Sequence, residues 1–341
     1  MKAIIYKRYG PPEVLKMVDL PKPVPADDEI LIRIRATTVS AADWRARSLK
    51  MPPGFGPLGR LAFGIKAPRQ PILGTELAGD IEAVGKEVTS FKVGDPVFAF
   101  AGEGMGCYVE YKCMPADGAV AIKPSNISYE QAAALSFGGS TMLDFFQKAA
   151  LRSGERVLVN GASGAVGTAA VQLAKHFGAH VTGVCSTANL DLVRSIGADE
   201  VIDYTKRNFA KSRKRYDVIV DTVATASFAR CSGSLSDGGR LILVLASLQD
   251  LILAPWHTKK SGKTIIADSA DERPEYQHQL AELAATGRFS PVIDRCYPFE
   301  EMVEAHRYVD QGRKRGNVVI TLAANKTTRR SIKKTPRHAA L

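Results

Sequence analysis

The stretch from residue 157 to 167, V-L-V-N-G-A-S-G-A-V-G, constrains this 341-residue chain more than any other. It begins as an uncharged apolar run, passes through a turn of small residues and continues into the helix-like segment T-A-A-V-Q-L-A-K-H-F. That order is typical of a buried parallel strand that leads into a phosphate-binding turn. Gly164 would let backbone N–H groups approach a pyrophosphate, and Gly167 would let the helix pack closely on the strand. The stretch therefore predicts a dinucleotide site at a helix N-terminus.

The surrounding sequence supports this interpretation, although Ala162 stands where the G-x-G-x-x-G fingerprint has its first glycine. Apolar runs at residues 180–184, 218–220 and 241–245 predict further strands, so we expect a doubly wound parallel sheet. The alternative is an apolar strand, turn and helix that bind no ligand. The turn residues expected to contact the cofactor are Ala162, Ser163, Gly164, Ala165 and Val166.

Composition excludes several classes of protein. The chain is long enough for two domains, and its hydrophobic content of 45% is ordinary for a globular protein. Its five cysteines form no C-x-x-C pair, which favours reduced thiols and a cytoplasmic location over a disulfide framework. The first residues contain too short an apolar stretch for a secretory signal. Polar residues interrupt the best membrane candidate, residues 241–256, so we expect a buried strand followed by a loop there and no membrane partner.

The net charge of +11 is unevenly distributed. Residues 325–341 carry six Lys or Arg and no acid, and they are expected to form a disordered, solvated tail. Contact of this tail with nucleic acid or an anionic membrane is the alternative. A second basic cluster at residues 206–215 fits contact with RNA and a solvated helix face equally well. We expect no specific nucleic-acid partner.

The first 122 residues contain short strands separated by Gly and Pro, which indicates barrel-like β structure. Within them, residues 51–71 are rich in Pro, Gly and cations, and we expect either a mobile lid or a plain connecting loop. Ser128 with Gln131 forms a capping-box pattern that marks a domain boundary. Apolar periodicity predicts a helix after Pro274 and another over residues 300–311, with His306 packed in the core.

Several segments, in this order, resemble a known family. They are G-P-P-E-V-L, V-S-A-A-D, G-T-E-L-A-G-D-I-E-A-V-G, F-K-V-G-D-P-V-F, L-S-F-G-G-S-T-M-L-D, N-G-A-S-G-A-V-G, S-I-G-A-D-E-V-I-D-Y and K-R-G-N-V-V-I. The family is the zinc-free quinone oxidoreductase branch of the medium-chain dehydrogenase/reductase superfamily. The resemblance implies an α/β fold, in which a Rossmann domain is inserted into a GroES-like β-barrel domain that binds substrate.

The implied division gives residues 1–123 and 271–324 to the substrate domain, residues 124–270 to the Rossmann domain, and the remainder to the tail. The active site would lie in the cleft between the two domains. The resemblance also suggests a homodimer through the edge of the Rossmann sheet.

The sequence departs from zinc-dependent relatives at their metal ligands. Ser40 stands where they have a catalytic Cys, and Gly74-Thr75-Glu76 stands where they have G-H-E. Their lobe of four closely spaced cysteines has no counterpart. A tetrahedral zinc needs three or four suitable ligands, so we expect no metal.

The predicted cofactor is NADP. A NAD site usually places an acid after the second strand, whereas this chain has Cys185 and Ser186 there. Ser186 and Asn189 could bind a 2′-phosphate, with Arg194 or Lys175 supplying charge. Relatives that use a lysine after this strand have it where this chain shows Leu190, which leaves the phosphate-binding cation open. By resemblance, the further cofactor contacts are Thr141, Tyr204 and Asn317.

Without zinc, the favoured acceptors are a quinone or an α,β-unsaturated carbonyl, because both accept hydride readily. Ser40 is the candidate oxyanion donor, with Asp43 and Trp44 lining the substrate pocket. A structural role for Ser40 is equally open. One alternative is a 2-enoyl thioester reductase, whose relatives place a tyrosine in the substrate loop as proton donor. It is disfavoured because no Tyr lies between Tyr9 and Tyr108. The other alternative is a non-catalytic relative that senses NADPH or binds RNA.

Overall fold

Two large β-sheets organise the described part of the chain, which is residues 1–323 of a computed structural model. The tail expected over residues 325–341 lies outside the described residues. The strands are β1 Lys2–Ile5, β2 Lys16–Asp19, β3 Glu29–Val39, β4 Glu76–Val84, β5 Pro96–Phe100, β6 Tyr111–Pro115, β7 Val120–Ile122, β8 Arg156–Asn160, β9 His180–Cys185, β10 Glu200–Asp203, β11 Tyr216–Asp221, β12 Leu235–Leu243, β13 Thr264–Ile266, β14 Ile293–Pro298 and β15 Asn317–Thr321. The helices are α1 Ala41–Ser48, α2 Gly56–Phe63, α3 Tyr129–Ala133, α4 Ser136–Lys148, α5 Ala165–His176, α6 Leu190–Ser195, α7 Phe228–Cys231, α8 Leu248–Ser261, α9 Pro274–Ala285 and α10 Met302–Asp310.

The six-stranded sheet has the order β10-β9-β8-β11-β12-β13, and its strands pair in parallel. The chain starts in the middle at β8, proceeds outward to β10 and then returns to fill the other side. This is the order of a Rossmann sheet, whose reversal point beside β8 leaves a crevice at the carboxyl ends of the strands. The predicted parallel sheet is confirmed.

The seven-stranded sheet joins the two ends of the chain. Its order is β14-β15-β3-β4-β5-β7, with β6 also paired to β3. The late strand β15 pairs antiparallel with the early strand β3, with Val318 opposite Val39. Because most residues of β3, Ile30 and Ile32 among them, are buried, this sheet encloses its own apolar core. The predicted insertion of a Rossmann sheet into a GroES-like domain is therefore confirmed.

Local signals explain where several elements begin. The Ser128 hydroxyl caps α3, and the Ser128 backbone N–H donates to Gln131 Oε1, which completes the predicted capping box. The predicted helix after Pro274 is α9, which buries Tyr276, Leu280, Leu283 and Ala284. In α10, His306 is fully buried, as expected of a core residue. Its Nδ1 accepts a hydrogen bond from Nε of Arg47 at 3.2 Å.

Three local predictions were wrong. Residues 51–71 hold the helix α2, which Pro57 favours because proline is already shaped for a first helical turn. The loop expected before residue 256 is the start of α8, whose capping box of Ser247 and Asp250 outweighs the internal Pro255. Residues 206–215 do not form the helix considered for them; they contain only one short 3-10 turn. Among the described residues, no helix is long and apolar enough to cross a membrane.

Candidate cofactor and substrate cavity

A cavity of about 1220 Å³ lies where the two sheets meet. Its walls come from the carboxyl ends of β8, β9 and β11, from α1 and from the loop between α10 and β15. A crevice at this edge of a doubly wound sheet is the expected place for a dinucleotide. Eight of the predicted site residues line it, namely Trp44, Ser163, Gly164, Ala165, Val166, Ser186, Asn189 and Tyr204.

The glycine turn forms one wall of this cavity. Gly161 adopts a positive φ of 85°, which lets the chain reverse after β8. A Cβ at Gly167 would lie 2.0 Å from the Gly161 carbonyl oxygen, so α5 can approach the strand only through a glycine there. At Gly164 a Cβ would meet nothing closer than 3.7 Å, which leaves open space before the N-terminus of α5. Ala162 is fully buried behind this turn and does not line the cavity.

The end of the cavity beside β9 and β10 is polar and positively charged. Asn189 donates from Nδ2 to the Ser163 hydroxyl at 3.0 Å and to the Ser186 hydroxyl at 3.3 Å. The exposed ring of Tyr204 lies nearby, and sequence reasoning missed the two arginines, Arg207 and Arg230, that line the same end. Their guanidinium groups make this part of the wall attractive to an anion.

The two cations that the sequence suggested for the 2′-phosphate do not line the cavity. Arg194 pairs with Asp191 at 2.9 Å, and Lys175 pairs with Asp199 at 2.8 Å; neither lines the cavity. Both are therefore committed to acids away from the cavity wall. Arg207 forms no ion pair among the described residues. Its position three residues after Tyr204 was the signal available in the sequence, within a cluster that was interpreted as an RNA contact or a solvated helix face.

The residue that precedes β15 reaches the glycine turn from the other domain. The Gly316 backbone N–H donates to the Ser163 carbonyl at 2.8 Å. This contact brings Lys314 and Arg315 to the cavity wall beside the turn. Burial lowers the pKa of Lys314 to about 8, partly offset by the carboxylate of Glu76. A second cluster of cations therefore lies beside the turn.

Ser40 and Asp43 do not line the cavity, contrary to expectation. The Ser40 hydroxyl donates to Asp43 Oδ2 at 2.6 Å, and the Asp43 backbone N–H donates back to the Ser40 hydroxyl at 3.2 Å. Asp43 also accepts from the Gly74 backbone N–H at 2.8 Å. Both residues are buried, and burial raises the pKa of Asp43. Ser40 and Asp43 together cap α1, so the Ser40 hydroxyl proton is already donated to Asp43.

Two other expected contacts are set back from the cavity. The Thr141 hydroxyl donates to the Phe137 carbonyl at 2.6 Å inside α4, and Asn317 donates from Nδ2 to the Val292 carbonyl at 3.1 Å. Neither side chain lines the wall. Phe137, one turn before Thr141, lines it instead.

The substrate-domain end of the cavity combines aromatic rings with one half-buried cation. Trp44 and Phe137 line this end, and the Arg45 guanidinium lies 5.2 Å from the Trp44 ring centre. Arg45 Nε is buried without a hydrogen-bond partner among the described residues, and burial lowers the pKa of this side chain. Asp310, an acid on the wall, is neutralised by Arg47 through both carboxylate oxygens. An unpaired donor thus remains beside an apolar surface.

The side chains that stand where zinc-dependent relatives have their metal ligands do not suit a metal. The Ser40 hydroxyl is held by Asp43, and Glu76 accepts from the Thr38 hydroxyl at 2.5 Å and from the Phe137 backbone N–H at 2.6 Å. Thr75 contributes a hydroxyl in place of an imidazole. Within residues 1–323, no three His, Cys, Asp or Glu side chains are grouped as metal ligands.

Two family models match the chain. Residues 26–124 match the alcohol dehydrogenase GroES-like domain, and residues 196–320 match a domain described as zinc-binding dehydrogenase. Quinone oxidoreductase of Sus scrofa is 33% identical over 92% of this chain and 95% of its own length. The 2-methylene-furan-3-one reductase of Solanum lycopersicum is 32% identical over 94% of this chain and 79% of its own length.

Solved structures agree with these matches. The quinone oxidoreductase of Coxiella burnetii superposes with a TM-score of 0.84 at 27% identity, covering 95% of this chain and 99% of that one. Escherichia coli quinone oxidoreductase complexed with NADPH gives a TM-score of 0.78 at 26% identity, covering 94% of this chain and 100% of that one. This oxidoreductase chain belongs to the quinone oxidoreductase branch of the medium-chain dehydrogenase/reductase superfamily.

Proposed function

We propose that this chain is an NADPH-dependent, zinc-independent oxidoreductase that reduces a quinone or an α,β-unsaturated carbonyl. The observation that carries the proposal is the charge of the cavity: cations lie at its adenosine end and beside the glycine turn, and no acid stands where a NAD site would have one. The names of the pig quinone oxidoreductase and of the NADPH-bound Escherichia coli protein support the same substrate and cofactor.

The residues around the glycine turn fit a pyrophosphate. The open space at Gly164 lets an anion approach the first N–H groups of α5, where the helix dipole is favourable. Lys314 and Arg315 would add charge from the other domain. The pyrophosphate would thus be held by both domains at once.

Arg207 is our candidate for the 2′-phosphate. It supplies the cation that relatives place where this chain has Leu190, and it lies with Ser186 and Tyr204 on one wall. A free guanidinium can form two parallel hydrogen bonds to a phosphate, which distinguishes it from a ribose hydroxyl. Arg230, whose Nη1 donates to the Thr225 carbonyl at 2.8 Å, is less free to do so.

When bound, NADPH would supply the hydride, and the chain's own residues would orient the acceptor. Trp44 and Phe137 provide an apolar wall for a planar ring or alkene. We assign to Arg45, in place of Ser40, the stabilisation of the oxygen that becomes negative, because Arg45 is a cation on the cavity wall beside Trp44 and forms no ion pair among the described residues. The proton that follows would come from solvent. The side chains of Ser40, Thr75 and Glu76 do not fit a zinc ion, so the proposed reaction does not use zinc.

The test is consumption of NADPH and of NADH with a quinone, an alkenal, a 2-enoyl thioester and a simple aldehyde. We expect turnover of the quinone or the alkenal with NADPH preferred. Preference for NADH would contradict the role of Arg207. Tight NADPH binding without turnover of any acceptor would favour a non-catalytic sensor.

Two coarser expectations are proposed with this function. We propose a homodimer that forms through β13, the edge strand of the six-stranded sheet, which light scattering would test. The domain division at residues 123, 270 and 324 also stays a proposal, which limited proteolysis would test.

A further inference from the structure

Helices α2 and α8 together present large exposed apolar side chains. The Leu248 backbone N–H donates to the Pro53 carbonyl at 3.0 Å, which places the start of α8 beside the segment that enters α2. The exposed fraction is 58% at Leu61, 67% at Ile252 and 56% at Trp256. We name as the α2–α8 surface the apolar residues Leu58, Leu61, Ile65, Leu251, Ile252 and Trp256.

Cations occur in the same two segments as these apolar residues. They are Arg60, Lys66, Arg69, Lys259 and Lys260, and none forms an ion pair within the described part of the chain. Residues 50–70 contain no acid, and residues 248–263 contain Asp250 alone. The Asp250 carboxylate is already bound by Ser247 in the cap of α8. The charge of this surface is therefore positive and unopposed.

We propose that the α2–α8 surface binds the interface of an anionic lipid bilayer. Apolar side chains that insert below the headgroups, with Lys and Arg at headgroup level, are the usual combination on proteins that lie on such membranes. Trp256, with Lys260 Nζ 4.8 Å from its ring centre, has an amphipathic ring suited to that depth.

The charge distribution favours a bilayer over the other possible occupants. A two-fold interface centred on this surface would place it against itself, so its cations would face one another, whereas the dimer proposed above is centred on β13. RNA would satisfy the cations but would leave the leucines and isoleucines in water. An anionic bilayer satisfies both kinds of residue. The expectation from sequence of no membrane partner was based on spanning segments and did not consider this surface.

The location gives this surface a role in substrate access. Arg45 of the cavity wall donates from Nη1 to the Lys50 carbonyl at 3.2 Å, at the start of the segment that leads to α2. Leu245, three residues before α8, lines the cavity as well. A bilayer on this surface would therefore lie next to elements of the cavity wall, where a lipid-dissolved acceptor could enter.

Co-sedimentation of the full chain with vesicles tests the proposal. We expect binding to phosphatidylcholine mixed with phosphatidylglycerol, weak binding to phosphatidylcholine alone, and a decrease with added salt. Leu61→Ser combined with Ile252→Ser should reduce the partition constant by roughly tenfold or more. Lys259→Gln combined with Lys260→Gln should reduce it by about tenfold or more.

The matched control is Val24→Ser combined with Val93→Ser, whose side chains are 86% and 62% exposed outside this surface. The control should bind vesicles like the unaltered chain, and every variant should keep its turnover of a water-soluble quinone. If the variant that combines Leu61→Ser with Ile252→Ser bound vesicles as strongly as the unaltered chain, the proposal would be overturned and the binding would be assigned to the basic tail. Absence of vesicle binding, with the same variant changing from dimer to monomer in light scattering, would overturn it in favour of a contact between copies.

Discussion

The Phe137 backbone N–H, in the first turn of α4, donates to Glu76 Oε2 at 2.6 Å. A carboxylate from strand β4 thus caps a helix that leads into the other domain. Thr38 of β3 donates to the second oxygen of Glu76 at 2.5 Å. Because Glu76 is fully buried, its ionisation affects the junction between the domains.

Stability should depend on pH through Glu76. Burial raises the pKa of this carboxyl to about 7, against its ordinary 4.5, so the folded chain binds the extra proton between these values. Stability should therefore fall as pH rises from about 4.5 to about 7, by roughly 3 kcal/mol from this group. Glu76→Gln should flatten that part of the curve of Tm against pH. Burial lowers the pKa of Lys314 to about 8, so this lysine alters the slope only above that pH. An unchanged curve in Glu76→Gln would contradict the assignment.

Arg207→Gln should weaken NADPH binding selectively. Loss of a charge-assisted pair to the 2′-phosphate should raise KM for NADPH by roughly tenfold or more, while KM for NADH stays the same. Steady-state kinetics with both cofactors measures the ratio. Arg194→Gln is the matched control, since that arginine pairs with Asp191 away from the cavity and should leave both KM values unchanged. If Arg194→Gln instead raised KM for NADPH selectively, the site of the 2′-phosphate would have to be reassigned to α6.

Two glycines of the turn should respond differently to alanine. Gly167→Ala would place a Cβ 2.0 Å from the Gly161 carbonyl oxygen, so we expect a loss of about 2 to 4 kcal/mol in the free energy of unfolding. Gly164→Ala meets no protein atom closer than 3.7 Å and should leave stability nearly unchanged. Its methyl group would instead occupy space meant for the cofactor, so NADPH affinity should fall. Denaturant titration and NADPH fluorescence separate the two effects, and equal destabilisation by both would refute the distinction.

Arg45→Gln should lower kcat and leave KM for NADPH unchanged. The reason is that its donor is proposed to meet negative charge that develops on the acceptor during reaction, with a loss of roughly tenfold to a hundredfold. Arg45→Lys should recover part of the rate. Ser40→Ala is the contrasting variant: loss of a helix cap should cost about 1 kcal/mol of stability, with kcat retained. A larger loss of kcat in Ser40→Ala than in Arg45→Gln would restore Ser40 as the oxyanion donor.

The sequence predicted those parts of the site that depend on local order. The apolar run before Gly161 and the glycine at 167 depend on neighbours in the chain, so the strand, the turn and α5 were confirmed. Arg207 lies within the cavity only because β10 pairs with β9, a contact that no local pattern contains. The capping pair of Ser40 and Asp43 was visible as S-x-x-D, but a resemblance to zinc-ligand positions drew attention to chemistry instead. The roles proposed for these residues stay predictions.

The position of β15 has a consequence for how the protein is made. This strand lies between β14 and β3 in the seven-stranded sheet, and Gly316, the residue before it, is bonded to the glycine turn. A nascent chain that stops short of residue 317 therefore lacks the link between the two ends of its first domain, and it lacks the strand that follows the cavity-wall residues 312–315. During synthesis the inserted Rossmann sheet can form first, but the outer domain closes only once β15 has left the ribosome. Truncation within this strand should abolish cofactor binding without altering any residue of the turn itself.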